Sequence, residues 1–140
     1  MIQKIITSKM KKDIELVNVE DIGIAAVPGD DPEFWDIYIL NLHEEPISNV
    51  LIVASGYGEI DGEQRKSSLM RYFFKEIQSL DIQKIESLPI SLFDLTNEYW
   101  VSFSLNNYMY DKRYLFVAGS LHPVNFIRIP FLETKGVLVR

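Results

Sequence analysis

The chain lacks cysteine altogether and has only two histidines, His43 and His122, among its 140 residues. Without cysteine there is neither a disulfide nor a thiolate metal ligand, and a cytoplasmic location is favoured over a secreted one. The two histidines are far apart, and neither has a second histidine three or four positions away, as a zinc-binding helix would require. We therefore expect both histidines in loops, no bound metal and no other cofactor.

Long apolar runs are also missing from the sequence. No window approaches the roughly 20 apolar residues that cross a bilayer. The segment Met1 to Lys12 has no apolar run long enough for the central region of a signal peptide. We expect no membrane association.

Positive charge is scarce, with 14 basic against 20 acidic residues and a formal net charge of -6. Such a charge opposes unspecific attraction to phosphate backbones, so nucleic-acid binding is not expected. The densest basic cluster, Lys9, Lys11 and Lys12, is interpreted as a solvated segment and not as a docking patch.

Familiar catalytic motifs are absent as well. There is no glycine-rich loop followed by a phosphate-binding lysine. Ser55 precedes Gly56 but lacks the glycine two positions before it that a nucleophile elbow requires. Strands do not alternate with helices, which argues against doubly wound nucleotide-binding folds.

What the sequence does contain is a clear strand pattern between Asn97 and Leu105, followed by a loop and a second run from Tyr114 to Ala118. Aromatic content and alternation predict a β-hairpin here. One parity of the first strand is apolar and should face the core, namely Tyr99, Val101, Phe103 and Leu105. The other parity carries Glu98, Trp100, Ser102 and Ser104.

Further short apolar runs are separated by turn residues. Ile14 to Val19 alternates loosely, and Ile22 to Val27 is a strand that should end at the loop beginning with Pro28. Phe34 to Leu42 and Asn49 to Ser55 are predicted to form an antiparallel hairpin. Because Val50 to Ala54 is apolar at every position, that strand should be central and covered on both faces.

The segment Ser67 to Leu80 fits two interpretations. Its apolar residues fall within one arc of a helical wheel, which favours a helix. The aromatic density of Tyr72, Phe73 and Phe74 favours a strand instead. Near the end of the chain, Asn125 to Pro130 and Lys135 to Val139 are predicted to be two more short strands.

The spacing of these runs predicts a mainly β fold. We expect an antiparallel sandwich or barrel of about eight to ten short strands, with at most one helix, over Ser67 to Leu80. A chain of 140 residues is long enough to bury its own core, so residues 1–140 are predicted to form a single domain.

Four pieces of the chain resemble a family of small uncharacterised bacterial proteins, and the likeness covers most of the chain. Some members of that family carry the name phenylalanyl-tRNA synthetase alpha subunit. The resemblance implies no activity or site residue of its own. The four pieces are Gly56-Tyr57-Gly58, Asn97 to Phe103, Tyr110 to Tyr114 and Lys135 to Leu138.

The synthetase name conflicts with the residues. A class II synthetase core is much longer than this chain and closes with a glycine-rich strand leading to an ATP-binding arginine. The nearest match, Gly56 to Arg65, lies in the first half of the chain and has three acidic residues where phosphates would approach. We expect a hairpin loop in this segment and no aminoacylation.

Glu98 and Trp100 are the most informative polar-face residues. A partly exposed tryptophan beside a carboxylate is typical of a ligand platform or a partner contact. The alternative is a tryptophan buried under a loop or helix, and burial is the interpretation that we favour. Arg113 is expected to pair with Glu98 or with Asp111 across the hairpin.

Two functions follow from these observations. The first is a non-catalytic interaction or binding module, a homodimer or a docking site for another protein. Its interface would include Val50 to Ala54 and the face near Trp100. The second is a small ligand-binding protein or enzyme with a cavity in the β-framework. Its polar groups would be Tyr57, Arg71, Glu98, Asp111 and Arg113. We favour the first, and no residue is predicted to be catalytic.

Overall fold

The computed structural model describes residues 19–140, so the predictions for Met1 to Lys12 and for nearly all of Ile14 to Val19 lie outside the described residues. The described part forms ten β-strands and three short 3-10 helices. The strands are β1 (Ile22–Pro28), β2 (Phe34–Asn41), β3 (Ile47–Ile60), β4 (Glu63–Lys66), β5 (Met70–Ile77), β6 (Asp81–Pro89), β7 (Thr96–Leu105), β8 (Tyr108–Phe116), β9 (Ile127–Arg128) and β10 (Lys135–Val139). The 3-10 helices are Val19–Asp21, Ile90–Leu92 and Pro123–Asn125.

The strands form two antiparallel sheets. Sheet A has the order β9-β10-β1-β2-β6. In sheet B the long strand β3 pairs with β4 and β5 along one edge and with β7 along the other, and β8 follows β7. Over residues 19–140 the sheets remain open at their edges, so the predicted mainly β antiparallel fold is confirmed as a sandwich and not as a barrel.

Two of the hairpins are connected by two-residue turns. Asp61 and Gly62 connect β3 to β4, and Asn106 and Asn107 connect β7 to β8, all four with positive φ. Positive φ at both central positions defines the type I′ turn, whose twist matches that of paired strands. The predictions of a hairpin from Asn97 onward and of a hairpin loop within Gly56 to Arg65 are therefore confirmed. The second strand of the first hairpin is Tyr108–Phe116, however, and not Tyr114 to Ala118 as predicted.

The segment Ser67 to Leu80 contains strand β5, so the strand interpretation is confirmed and the helix is wrong. Residues 70–77 pair with β3 from Ile47↔Ile77 to Ala54↔Met70. Tyr72 and Phe74 pack against the core, whereas Phe73 points outward. The backbone of residues 70–77 is hydrogen-bonded to the backbone of β3. This tertiary pairing outweighs the preference for a helix that the spacing of the apolar side chains indicates.

The predicted hairpin between Phe34 to Leu42 and Asn49 to Ser55 is wrong. Strand β2 pairs with β1 and β6 in sheet A, while β3 lies in sheet B. The connection between them crosses from one sheet to the other and is held by buried Asn41. The Asn41 amide nitrogen lies 3.0–3.2 Å from the carbonyl oxygens of Glu45, Ile77 and Gln78.

Strand β3 is central in sheet B, as predicted, but only one of its faces is covered. Val50, Ile52 and Ala54 are buried between the sheets, whereas Leu51 is 38% exposed on the opposite face. The prediction that Val50 to Ala54 is covered on both faces is therefore wrong. The apolar side chains of β3 that point away from the core, such as Leu51, lie on the outer face of sheet B.

The core lies between the inner faces of the two sheets. Its largest fully buried side chains include Tyr99, Phe103 and Phe116 from sheet B. The buried parity of β7 is the predicted one, with Tyr99, Val101, Phe103 and Leu105 inward. A smaller cluster of Ala25, Val27, Leu40 and Ile129 covers part of the far side of sheet A.

Candidate functional site

The six residues proposed as binding residues all lie on sheet B. Alternation along each strand directs them to the outer face of the sheet, away from the core. Strand β3 carries Tyr57, β5 carries Arg71, β7 carries Glu98 and Trp100, and β8 carries Asp111 and Arg113.

Cross-strand register arranges this outer face in two adjacent rows. The first, the Trp100 row, runs Arg71, Val53, Trp100, Arg113 from β5 to β8. The second, the Leu51 row, runs Phe73, Leu51, Ser102, Asp111 across the same four strands. Directly opposed side chains in a sheet lie close enough to interact, so each row is a continuous strip of surface.

Glu98 holds a small polar cluster beside the Trp100 row. The Tyr57 hydroxyl donates a 3.2 Å hydrogen bond to Glu98 Oε1, and Arg113 Nε lies 3.8 Å from the same oxygen. Burial, followed by the hydrogen bond to Glu98, raises the pKa of the Tyr57 phenol. The expected pairing of Arg113 is thus with Glu98.

Trp100 is 43% exposed, so the favoured interpretation of a buried tryptophan is wrong. Among the described residues, the outer face of sheet B is not covered by a second layer. In the Leu51 row beside Trp100, Phe73 is 62% exposed and Leu51 is 38% exposed. Single exposed apolar residues are ordinary, but adjacent ones on a flat surface mark interaction sites.

A second site, which sequence reasoning missed, is a cleft of about 630 Å³ between β5 and β6, lined by residues of both sheets. Its apolar lining includes Ala54, Met70, Ile85, Leu88, Pro89 and Leu92. Its polar lining includes Ser55, Ser67, Ser68, Tyr72, Glu86, Ser87, Asn97 and Tyr99. The six proposed binding residues are not among those that line it, so the predicted polar groups and the cavity are in different places.

Glu86 lies at the centre of the polar lining and bridges the sheets. Its Oε1 accepts a 2.5 Å hydrogen bond from the Tyr72 hydroxyl, and its Oε2 accepts a 2.6 Å bond from the Tyr99 hydroxyl. Burial raises the pKa of both phenols well above their ordinary value, and the negative charge of Glu86 raises it further. Both tyrosines therefore remain protonated donors at neutral pH.

A β-bulge explains why Glu86 faces inward. Ile37 pairs with Glu86 and Tyr38 with Lys84, so Ile85 is the extra residue on β6. Regular alternation would place Lys84 and Glu86 on the same face. The bulge instead leaves Lys84 outside, 3.1 Å from Asp36, and turns Glu86 into the cleft. No local feature of the sequence signals this change.

The two histidines occupy turns, as predicted. The Nδ1 atom of His43 accepts from the backbone N–H of Glu45, and that of His122 accepts from Val124. Across residues 19–140 there is no group of three histidine or acidic side chains suited to a metal ion. The same residues include no helix of the length and apolarity needed to cross a membrane.

No protein-family model matches this chain, and no curated protein matches it either. The resemblance to a small bacterial family therefore stays a prediction.

Proposed function

We propose that this chain is a non-catalytic protein-interaction module whose interface is the outer face of sheet B. The observation that carries the proposal is the exposure of Trp100 beside Leu51 and Phe73, with Arg71 and Arg113 at the ends of the Trp100 row. Aromatic residues and arginine are the types enriched at the centres of interfaces. A bare antiparallel sheet face also suits packing against another sheet.

The partner that this face fits best is a second copy of the chain. In this dimer the two copies are related by a two-fold axis that lies parallel to the face and perpendicular to the strands, between the two rows. The axis sets the Trp100 row of one copy against the Leu51 row of the other. Arg113 then faces Asp111 of the second copy, and Val53 faces Leu51. Arg71 faces the ring of Phe73, an arrangement that favours a cation–π contact. Trp100 faces Ser102 of the second copy, so the two rows match in charge at Arg113 and Asp111 and in apolar character at Val53 and Leu51.

We propose a cytoplasmic setting for this chain. The absence of cysteine supports a cytoplasmic location, and the net charge of -6 supports a protein partner over a nucleic acid. We also propose that the chain is bacterial and does not aminoacylate tRNA. In support, the segment Gly56 to Arg65 forms the β3–β4 hairpin.

A ligand-binding protein is the second candidate function, and the cleft at Glu86 is the observation that favours it. Such a protein would use Glu86, Tyr72 and Tyr99, because Tyr57, Arg71, Glu98, Asp111 and Arg113 lie on the outer face instead.

Light scattering after size-exclusion chromatography tests the interaction module. We expect a concentration-dependent species of twice the 16.2 kDa mass of the chain. Trp100→Ala should shift it to the monomer because it removes the central aromatic side chain of the face. Val124→Ala is the matched control, since Val124 is an exposed apolar residue away from sheet B.

A wild-type chain that remains monomeric at all concentrations would contradict self-association. A dimer that Trp100→Ala and Phe73→Ala both leave unchanged would place the interface elsewhere and would contradict the role of the outer face.

A further inference from the structure

We propose that the cleft between β5 and β6 binds a small organic amine, with the ammonium group at Glu86 and the apolar body against Met70, Leu88 and Leu92. This site is separate from the outer face of sheet B and does not depend on the interaction proposed for that face. The proposal follows from the charge, the hydrogen bonding and the lining of the cleft.

The Glu86 carboxylate is oriented for binding and still has acceptor capacity. One phenol donates to each of its oxygens, Tyr72 to Oε1 and Tyr99 to Oε2. Each carboxylate oxygen accepts about two hydrogen bonds, so one further donor is accommodated at each oxygen. The two tyrosines come from sheet B and Glu86 from sheet A, which fixes the carboxylate between the sheets.

The charge of Glu86 selects a cation. Within the part of the chain that the structure describes, the ion pairs join Arg65 to Glu63, Lys84 to Asp36 and Arg113 to Glu98, and no basic side chain is paired with Glu86. An ammonium group provides both the opposite charge and the additional N–H donors.

Two further polar side chains at the cleft, Ser67 and Asn97, are engaged in the fold. Ser67 Oγ accepts from the backbone N–H of Gly56 at 2.6 Å and donates to the carbonyl of Ser68. The Asn97 side-chain amide donates to the carbonyls of Leu92 and Leu95. These bonds hold the wall of the cleft in place, and Glu86 is the charged group that a ligand in the cleft would contact.

An organic amine fits better than a metal ion. Divalent cations such as calcium need six to eight oxygen ligands, often from several carboxylates. Glu86 is a single carboxylate, and its two phenol neighbours are protonated. By contrast, Met70, Leu88 and Leu92 offer apolar surface, and a cleft of about 630 Å³ lies within the usual size range of small-molecule sites.

Isothermal titration of the full chain with 2-phenylethylamine and with its neutral counterpart 2-phenylethanol tests the proposal directly. The two probes share shape and apolar body and differ in the charged group. We expect the amine to bind at least about tenfold more tightly, as a charge-assisted hydrogen bond predicts. The anionic probe 3-phenylpropanoate should bind more weakly than either.

Glu86→Gln removes the charge and preserves the size of the side chain, while its amide nitrogen cannot accept the hydrogen bond that one of the two phenols donates to the carboxylate. It should reduce amine affinity about tenfold, to the level of the alcohol, and leave alcohol binding unchanged. Glu63→Gln is the matched control, because Glu63 is an exposed carboxylate of β4 outside the cleft, and it should bind the amine as the unmodified chain does. Circular dichroism and a melting curve establish that each variant is folded.

Three results would overturn the proposal. The first is equal affinity for the amine and the alcohol, and the second is undiminished amine binding by folded Glu86→Gln. The third is no binding, at millimolar concentration, of 2-phenylethylamine or of hexylamine, an amine with a linear apolar body. If Glu86→Gln does not fold, the comparison of amine with alcohol on the unmodified chain decides the question alone.

Discussion

The hydroxyl of Tyr114 donates a hydrogen bond of 2.6 Å to the backbone carbonyl of Ile22, 92 residues away in sequence. Tyr114 lies in β8 of sheet B, and Ile22 begins β1 of sheet A. Both residues are buried, so the bond joins the sheets at the side of the sandwich formed by β8. On the side of β5 and β6, the corresponding links are those from Tyr72 and Tyr99 to Glu86.

Tyr114→Phe should lower the free energy of unfolding by about 1–2 kcal/mol, because the Ile22 carbonyl loses a buried donor while the ring is kept. Urea denaturation measures the change, and its slope should not alter. Tyr108→Phe is the matched control, since Tyr108 is exposed on the same strand and should unfold as the unmodified chain does. Equal loss in both variants would contradict a special role for Tyr114.

Stability should fall as the pH rises above the ordinary tyrosine pKa of 10.0. Burial raises the folded-state pKa of Tyr72, Tyr99 and Tyr114, so the unfolded chain loses phenolic protons first. The resulting stabilisation is fully present below the unfolded pKa and is lost as the pH rises through the folded values. Urea titrations from about pH 8 to pH 12 measure this, and Tyr114→Phe should make the decline shallower. A free energy of unfolding that does not change with pH over that interval would refute the raised pKa values of the three tyrosines.

Asn41→Asp should cost at least about 2 kcal/mol at neutral pH, since a buried carboxylate would face three carbonyl oxygens. The carbonyls are those of Glu45, Ile77 and Gln78. Thermal and urea unfolding report the loss. Asn125→Asp provides the control, because the Asn125 amide makes a single exposed bond to the Ser120 carbonyl. A loss for Asn41→Asp no larger than for Asn125→Asp would show that the crossing between sheets does not depend on Asn41.

Charge reversal on the outer face tests the proposed arrangement of two copies. Asp111→Arg places only positive charge where β8 meets β8 of the second copy, and Arg113→Asp places only negative charge there. Each variant alone should be monomeric, whereas an equimolar mixture should form a heterodimer with opposite charges facing each other. Sedimentation velocity distinguishes these outcomes.

The control for this experiment mixes Asp111→Arg with Arg65→Asp. Arg65 lies in β4, outside the two rows, so its reversal should give no preferential pairing with Asp111→Arg. Two single variants that remain monomeric when mixed would exclude the alignment of Arg113 with Asp111 of the second copy.

Local patterns in the sequence predicted much of sheet B. The alternation from Glu98 to Leu105 identified the buried side of β7, and the same parity placed Glu98 and Trp100 together on the outer face. Asp61-Gly62 and Asn106-Asn107 formed tight turns because these residue types tolerate positive φ. Such features were predictable because they depend on the geometry of neighbouring residues.

The cleft cluster was not predictable in the same way. Tyr72, Glu86 and Tyr99 come from three strands, and Tyr99 was expected only as a core residue. Glu86 reaches the cleft because Ile85 is the extra residue of a bulge, and a bulge is defined by the partner strand β2. The exposure of Trp100 likewise depends on what lies over the strand and not on the strand itself.

The sequence by itself determined the class of the fold, the inward side of β7 and the hairpin loop within Gly56 to Arg65, because alternation and turn chemistry act between neighbouring residues. Only the tertiary structure decided that β2 and β3 belong to different sheets, that residues 70–77 form a strand and that Glu86 meets two phenols. Those outcomes depend on hydrogen bonds between distant strands and on burial across the sandwich, where one competing register or pairing prevails through long-range contacts.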